Sequence, residues 1–585
     1  MAIRVAKQED LVFNLCNLIL ICAIRYNRRL YQEENNMFCY QCQETVGNKG
    51  CTVKGVCGKE EGVAKLQDLL IYLLKGISFW ANKSKKYGVR DEEVDLFVAE
   101  GLFSTITNVN FDKDRMVELI EKAFELRDKI KEKVLSYDEE SKETIPDAAT
   151  WRGRDIDEFL QKGEEVGFLS EPDEDIRSLK SLILFGLKGV AAYLDHAYIL
   201  KHTSEDIFDF IERALVEILR DDISADELTA LVLECGKFAV SAMALLDEAN
   251  TKTYGHPEPT QVYTGLVEGP AILVSGHDLL DLEEILKQTE GKGINVYTHG
   301  EMLPANAYPS LKKYKHLKGN YGTSWYNQQK EFDEFGGAIV MTTNCIQKPR
   351  PSYKDRIFTT GLVAWPTVAH IPNRVDGKPK DFSPVIKKAL EAGSLRPKDG
   401  KTITIGFAHN TLINNTDKIL SLVKQGKIRQ FFVMSGCDGR FKERQYYTEF
   451  AQKLPKDTVI LTSGCAKYRY NMLELGTIDG MPRVLDAGQC NDSYSVALLA
   501  LHLKEVLGLD DINKLPISYN IAWYEQKAVC VLLGLLYLGV KKIRLGPTLP
   551  AFISPGVLDV LVKKFDIRTI SSVEKDMEEM MASVR

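Results

Sequence analysis

The sequence predicts a multidomain protein of mixed α and α/β class, with two three-helix bundles followed by two Rossmann-like α/β domains that contain parallel sheets. Apolar residues recur at spacings of three and four from residue 66 to about residue 250, as in packed helices. From Tyr254 onward, short β-branched strands alternate with helices, which is typical of parallel sheets covered on both faces. With 585 residues, the chain is also too long for one hydrophobic core.

The N-terminal segment 1–36 differs from the rest. Its apolar run, LVFNLCNLILICAI, is too short to span a bilayer. The basic sequence RYNRRL follows where a signal peptide would need small residues. Because a cysteine-rich motif begins directly at Met37, we interpret 1–36 as a leader or a mis-assigned start.

Three further regions follow from the patterns. We assign 37–253 to a cysteine-containing segment and the two helical bundles, and Ser224 with Glu227 predicts a capping box at the start of the last helix. A lysine- and proline-containing stretch at 372–401 marks the boundary between two α/β domains, 254–395 and 396–585. We expect a metal site at the interface of these two domains.

The composition excludes several classes of protein. Lysine and arginine number 75 against 82 acidic residues, and no basic stripe interleaved with aromatic residues indicates a nucleic-acid binder. Twelve cysteines are too few for a disulfide-stapled secreted scaffold, so we expect a cytoplasmic protein. We also expect no membrane spans. Four of them lie in apolar helix-like runs and are predicted to be structural: Cys16, Cys22, Cys235 and Cys530.

Four other cysteines crowd together near the N-terminus and are bounded by glycines. Their spacing is C-x2-C-x8-C-x5-C, and they are Cys39, Cys42, Cys51 and Cys57. A C-x2-C pair presents two sulfurs to one metal, and no histidine is interleaved. The spacing is compatible with an iron–sulfur cluster, a structural zinc or redox thiols, and by itself does not choose among them.

In the C-terminal half, apolar strands repeatedly run into metal-ligand residue types. Ligands in open α/β sheets bind beyond the carboxyl ends of the strands. A single cysteine after a strand is usually only packed, but here the pattern recurs. Glu525 and Lys527 are alternatively explained as a helix N-terminal acid and a solvated lysine. The candidate residues are Cys345, Cys437, Cys465, Cys490, His277, Glu301, Glu525 and Lys527.

This mixture of ligands has a chemical meaning. Thiolates hold iron in sulfide-bridged form, whereas imidazole and carboxylate suit iron bonded to oxygen or water. The sequence therefore predicts one polynuclear site with a sulfur-rich half and an exchangeable oxygen-rich half. A nearby Lys527 or His299 would supply protons.

Nine motifs, in order, closely resemble the hybrid cluster proteins, also called prismane proteins or hydroxylamine reductases. The resemblance covers essentially everything from Met37 to the C-terminus, and only 1–36 falls outside it. The motifs are MFCYQCQET, GCTVKGVCGK, SGHD, YTHGEMLPA, TTNC, SGCDGR, ILTSGCAKYRYN, VLDAGQCNDSYS and IAWYEQKAV.

The resemblance implies two cofactors. The N-terminal cysteines match the ligands of a [4Fe–4S] cluster, Cys437 matches a cysteine that carries a persulfide sulfur, and Lys527 matches a lysine held close to the second cluster. The second is a hybrid [4Fe–2O–2S] cluster, whose implied ligands are His277, Glu301, Cys345, Cys437, Cys465, Cys490 and Glu525.

The resemblance also implies an enzyme that reduces hydroxylamine to ammonia and water. An external electron-donor protein would reduce the N-terminal cluster, which relays electrons to the hybrid cluster. His277, Glu301 and Glu525 would hold the substrate-binding iron, and Lys527 would act as a proton source or electrostatic clamp. Alternatives are nitric oxide reduction in nitrosative-stress defence, a non-catalytic redox sensor or nitrosyl transferase, and a nickel-dependent carbon monoxide dehydrogenase-like activity. Neither nucleic acid nor membrane is an expected partner.

Overall fold

The protein is represented by a computed structural model that describes residues 37–137 and 144–582. The interpretation of 1–36 as a leader or mis-assigned start lies outside the described residues, as do Cys16 and Cys22. The other two cysteines predicted to be structural, Cys235 and Cys530, are fully buried in helices, as expected.

The N-terminal region is helical, as predicted. Two groups of three helices, α1–α3 and α5–α7, are separated by the shorter α4. Their apolar faces share one hydrophobic core with the second α/β region. The bounds are α1 Glu61–Lys85, α2 Glu92–Ser104, α3 Lys113–Leu135, α4 Ile156–Glu165, α5 Glu174–Ile199, α6 Glu205–Glu217 and α7 Ala225–Tyr254.

The predicted capping box opens α7. The Glu227 backbone N–H donates to the Ser224 hydroxyl, and the Ser224 N–H donates to the Glu227 carboxylate at 2.9 Å. Each of these bonds satisfies a backbone or side-chain group that the first helical turn leaves without a partner. This local signal therefore fixes where the longest described helix begins.

The first α/β region contains a six-stranded parallel sheet in the order β4-β3-β2-β5-β6-β7. Its central strands are buried along their whole length, which explains their continuous apolar sequence. The elements are β2 Ala271–Ser275, α8 Leu279–Thr289, β3 Asn295–His299, α9 Pro309–Lys312, β4 Leu317–Asn320, α10 Gln328–Phe335, β5 Ala338–Met341, β6 Ile357–Thr360, β7 Ala369–Ile371 and α11 Ser383–Ala392.

The second α/β region contains another six-stranded parallel sheet, in the order β13-β10-β9-β14-β15-β16. The elements are α12 His409–Asn414, α13 Thr416–Lys424, β9 Gln430–Gly436, α14 Gln445–Lys453, β10 Thr458–Thr462, β11 Thr477–Ile478, β12 Met481–Pro482, β13 Val484–Asp486, α15 Ser493–Val506, β14 Ile517–Ala522, α16 Gln526–Tyr537, β15 Arg544–Gly546, α17 Pro555–Phe565, β16 Arg568–Thr569 and α18 Val573–Ala582.

Contacts between helices and between short strands join these regions. A small antiparallel pair links β1 Thr260–Tyr263, at the start of the first α/β region, to β8 Thr402–Ile405, which leads into the second.

Helices α5 and α7 are long and apolar enough to cross a membrane, yet the apolar stretch of α5 is 83% buried within the protein. Both helices pack against α16. The apolar character of α5 is therefore that of a core helix.

Candidate metal centre

All of the cysteine, histidine and glutamate residues predicted to ligate the second cluster line one cavity of about 30 Å³. Six of them are at most 9% exposed, and Cys345 is partly exposed. Their convergence from distant parts of the sequence is the principal structural observation on the site. The residues are His277, Glu301, Cys345, Cys437, Cys465, Cys490 and Glu525.

The two parallel sheets explain this convergence. Each lining residue follows the carboxyl end of a strand, and the carboxyl ends of parallel strands meet at one edge of a sheet. His277, Glu301 and Cys345 come after β2, β3 and β5 of the first sheet. The second sheet contributes the residues after β9, β10, β13 and β14: Cys437, Cys465, Cys490 and Glu525.

His277 is held by hydrogen bonds at both ring nitrogens. Its Nδ1 lies 2.8 Å from the Thr343 hydroxyl, and its Nε2 lies 2.9 Å from the Lys527 Nζ. Burial and the neighbouring Lys527 ammonium keep the pKa of His277 well below its usual range, so the ring is neutral at pH 7. A neutral imidazole is the form that ligates metals.

Glu301 is oriented by the segment that carries Cys490. The Cys490 N–H donates to Glu301 Oε2 at 2.8 Å, and the Gln489 amide donates to the backbone carbonyl oxygens of Glu301 and His277 at 2.8 and 3.1 Å. The other carboxylate oxygen, Oε1, is buried without a hydrogen-bond partner in the described structure. A buried carboxylate oxygen without a hydrogen-bond partner is suited to coordinate a metal ion.

Glu525 and Lys527 occupy the start of α16. Glu525 is the N-cap residue, and its carboxylate accepts the Lys527 N–H at 2.7 Å. Burial raises the pKa of Glu525 despite the nearby Lys527 ammonium. The explanation as a helix N-terminal acid is thus correct, yet the same carboxylate also lines the cavity. Lys527 is only 1% exposed, so it is not a solvated surface lysine.

The thiols of this cavity are costly to ionise without a metal. Burial raises the pKa of Cys490 to about 12, and burial with the neighbouring Glu301 carboxyl raises the pKa of Cys465 further above its usual range. Burial and Glu525 likewise raise the pKa values of Cys345 and Cys437. Bound cations would reverse this, because coordinating thiols are deprotonated outright.

The donor set therefore fits an iron–sulfur–oxygen cluster. One ligand atom each from His277, Glu301 and Cys490 lies within 4.8 Å of the others, which is close enough to share a metal ion. The remaining thiols and Glu525 surround the same cavity. Soft sulfur and harder oxygen and nitrogen donors thus converge on one space, as a mixed cluster requires.

The N-terminal cysteines form a separate site. Cys39 and Cys51 pair as a short antiparallel bridge, with a Cys51 N–H to Cys39 carbonyl bond of 2.8 Å. Burial raises the pKa of Cys42, with further contributions from the thiols of Cys57, Cys39 and Cys51. These residues fit one compact four-thiolate metal site.

Sequence reasoning missed several residues around the cavity. Trp325 and Tyr524 stack at a centroid distance of 4.3 Å, and both line it. The side-chain oxygen of Asn344 accepts a hydrogen bond from the Lys527 ammonium at 2.8 Å, and its side-chain nitrogen lies 3.3 Å from the Cys345 sulfur. Asn344 directly precedes Cys345 in TTNC, and Tyr524 directly precedes Glu525 in WYEQK, so their positions in the sequence could have indicated them. Nothing in the sequence around Trp325 indicates that it lines the cavity. His299, considered as a proton source, is instead bound to Ser275 and Glu331.

A second cavity adjoins the first. It comprises about 30 Å³ between β9, β14, α15 and α16, and its walls are mostly apolar. Cys437 and Cys490 line both cavities. The apolar cavity therefore reaches the thiolate side of the site.

Comparisons with known proteins agree with this arrangement. Residues 37–578 match the model of the Prismane/CO dehydrogenase family. A protein named hydroxylamine reductase from Thermosipho melanesiensis is 66% identical over 552 residues, which cover 93% of this chain and 100% of that relative. A protein with the same name from Petrotoga mobilis is 67% identical over 541 residues, which cover 91% of this chain and 100% of that relative.

Solved structures show the same fold at low identity. Carbon monoxide dehydrogenase IV from Carboxydothermus hydrogenoformans matches with a TM-score of 0.54 and 16% identity, covering 96% of this chain and 94% of that chain. The Ni-free carbon monoxide dehydrogenase from Thermococcus sp. AM4 matches with a TM-score of 0.53 and 17% identity, covering 95% of this chain and 92% of that chain. At these identities the likeness concerns the fold alone.

Proposed function

Because the chain belongs to the Prismane/CO dehydrogenase family, we propose that it is an oxidoreductase that reduces hydroxylamine to ammonia and water. The observation that carries this proposal is the single cavity lined by all of the predicted hybrid-cluster ligands. Relatives that are 66% and 67% identical and named hydroxylamine reductase support the choice of substrate. The reaction consumes two electrons and two protons for each hydroxylamine.

The cofactors follow from the two donor sets. His277, Glu301, Glu525 and the four strand-end cysteines would hold an iron–sulfur–oxygen cluster, and Cys39, Cys42, Cys51 and Cys57 would hold a [4Fe–4S] cluster. When bound, these clusters supply the electrons and the iron at which the nitrogen–oxygen bond is broken. We also propose Cys437 as the residue that carries a persulfide sulfur.

Lys527 is the proposed proton donor. Burial acts to lower its pKa, but the surrounding Cys490, Glu525 and Cys345 outweigh burial and raise it, so the ammonium is retained. Hydrogen bonds from Nζ to Asn344 Oδ1 and His277 Nε2, at 2.8 and 2.9 Å, hold it against two residues that line the cavity. A charged ammonium has no lone pair for a metal, which favours proton donation over ligation.

Electron relay from the N-terminal site is supported by Tyr524. This residue is only 1% exposed, and the thiols of Cys42 and Cys345 both contribute to raising its pKa after burial itself. Its backbone carbonyl accepts the Gln43 N–H at 2.9 Å. Tyr524 thus lies near both cysteine sets. We propose an external protein as electron donor and the reducing cytoplasm as the compartment.

Nitric oxide is the second candidate substrate, in nitrosative-stress defence. The observation that favours it is the apolar cavity that reaches Cys437 and Cys490. A small uncharged gas crosses an apolar passage at little desolvation cost, whereas polar hydroxylamine loses hydrogen bonds to water there. Comparing turnover of the two substrates at equal low concentrations distinguishes the candidates.

An anaerobic assay with reduced viologen as donor tests the proposed function. We expect hydroxylamine-dependent viologen oxidation with one ammonia formed per hydroxylamine consumed. Cys437→Ser and Glu301→Ala should each lose this turnover, whereas Cys235→Ala, which removes a buried cysteine outside the site, should retain it.

Three outcomes contradict the proposal. Full turnover in both site variants would show that the assigned residues are not needed. Negligible turnover of either substrate, with redox changes and partner capture, would favour a sensor or nitrosyl transferase. Nickel in the metal analysis would favour a carbon monoxide dehydrogenase-like activity.

A further inference from the structure

We propose that an exposed cationic patch over the N-terminal cysteines is the docking surface for a small acidic electron-carrier protein. The patch consists of Val46, Lys49, Val53 and Lys54. This inference rests on the proposed function, because it assumes that electrons enter through the N-terminal site. It adds the location of the contact and the chemistry of the partner.

The four side chains of the patch are exposed to solvent, although two of them are apolar. Val53 is 89% exposed and Val46 is 51% exposed, and both lysines are exposed. An isolated exposed valine needs no explanation, but two of them here flank metal-type cysteines. Apolar residues surrounded by charge are the composition of contact surfaces for other proteins.

The charge of the patch has one sign. Lys49 and Lys54 are the only charged residues between positions 45 and 58. Neither forms an ion pair among the described residues, and the same holds for exposed Lys348. The charge of Lys54 contributes only to lowering the pKa of Glu60, after the larger effect of Lys113. Arg440 joins Lys348 to the patch, because its guanidinium donates to the Val56 carbonyl at 3.0 Å and to the side chain of Gln347 at 2.6 Å.

Acidic residues near the patch are already neutralised. Glu44 is 1% exposed, and one of its carboxylate oxygens accepts the Arg440 N–H at 2.6 Å. Glu60 pairs with Lys113 at 3.1 Å. The patch is therefore locally positive on a chain whose net charge is −7. An acidic partner would be steered to it and away from most of the remaining surface.

The position of the patch suits electron transfer. Cys39 and Cys57 are partly exposed, and they lie in the same short segment as the patch residues. A partner seated on Val53 would bring its redox centre close to these sulfurs. A small, negatively charged carrier such as a bacterial ferredoxin matches the surface in charge, whereas a second copy of this chain is the competing occupant.

The test uses the cluster-loaded enzyme and an acidic two-cluster ferredoxin as the probe. Lys49→Glu with Lys54→Glu reverses the patch. Lys424→Glu with Lys456→Glu is the matched control, because these exposed lysines precede β9 and β10 at the opposite ends of the strands from the cysteines and lack a carboxylate partner in the described structure. Stopped-flow mixing measures reduction of the N-terminal cluster by reduced ferredoxin without requiring turnover.

We expect the patch variant to lower the second-order rate constant about tenfold or more at low salt. The loss should shrink at about 0.5 M salt, where screening is strong. The control pair should stay close to the parent, and viologen-driven hydroxylamine turnover at saturating viologen should be unchanged in both variants.

Two results would overturn the proposal. One is an equal rate loss, or none, in the patch and control variants. The other is a change of oligomeric state in light scattering of the patch variant, which would assign the patch to a contact between copies. Failure of the parent enzyme to reduce hydroxylamine with viologen would instead contradict the proposed function, and it leaves the ferredoxin measurement interpretable.

Discussion

At the residue scale, the site depends on hydrogen bonds that orient ligand candidates before any metal binds. Thr343 fixes one nitrogen of His277, and the Cys490 N–H fixes one oxygen of Glu301, at 2.8 Å in each case. Partners of this kind orient metal-ligating residues in other proteins, and their loss typically weakens metal binding by 10- to 100-fold. The polar neighbours of the cavity are therefore as much part of the site as its ligands.

The role of Lys527 can be separated from a purely electrostatic one. Lys527→Met should lower hydroxylamine turnover by about 10²- to 10⁴-fold, the usual contribution of a positioned proton donor. Lys527→Arg should also lose most of the turnover, because a longer, planar guanidinium does not fit the two hydrogen bonds that Nζ makes to Asn344 and His277. Iron content and electron paramagnetic resonance spectra should match the parent in both variants.

Recovery of most of the activity by Lys527→Arg would contradict the proton-donor role. It would show that positive charge beside Cys490 and Glu525 suffices, which is the electrostatic-clamp alternative.

At the element scale, parallel strands were easier to predict than their surroundings. Every strand expected to end in a ligand candidate is present, because buried parallel strands have continuous apolar sequences and their carboxyl ends meet. The capping box of α7 was predictable because its two residues are local. Trp325 and Tyr524 could not be predicted as a stacked pair, because spacing carries no information on contacts between residues far apart in the chain.

Helices α1 and α5, together with segments 165–171 and 218–221, line a polar cavity of about 230 Å³. An aspartate in this cavity is expected to make the stability of the fold depend on pH. Asp68 of α1 lines the cavity, and burial raises the pKa of Asp68 to about 7 despite nearby lysines. An aspartate in an unfolded chain ionises near pH 4. Between these values the folded state binds more protons, so the contribution of Asp68 to stability falls as pH rises from about 4 to about 7.

Replacing Asp68 by asparagine should remove this pH-dependent cost. We expect Asp68→Asn to melt at a higher temperature than the parent at pH 8, with a smaller difference at pH 5, in thermal unfolding followed by circular dichroism. A lower melting temperature than the parent at pH 8 would show instead that Lys188 and Lys59 stabilise the ionised carboxylate overall.

At the scale of the whole molecule, the two metal sites are joined by contacts between the ends of the chain. The Gln526 amide donates to the Gln41 carbonyl at 2.5 Å, and the Gln43 N–H donates to the Tyr524 carbonyl at 2.9 Å. The N-terminal cysteines are thereby held against the loop that carries Glu525. Motif order indicated two centres, but their proximity depends on these long-range hydrogen bonds and could not be read from spacing.

Each chain is expected to carry two distinct iron sites, and anaerobic iron and sulfide analysis of the purified protein counts them. Two four-iron clusters predict about eight irons per parent chain. Cys42→Ser and Cys465→Ser should each lose iron from one site only, retaining about half and leaving different spectra from electron paramagnetic resonance. Fewer than about six irons in the parent, or the same residual spectrum in both variants, would contradict the two-site account.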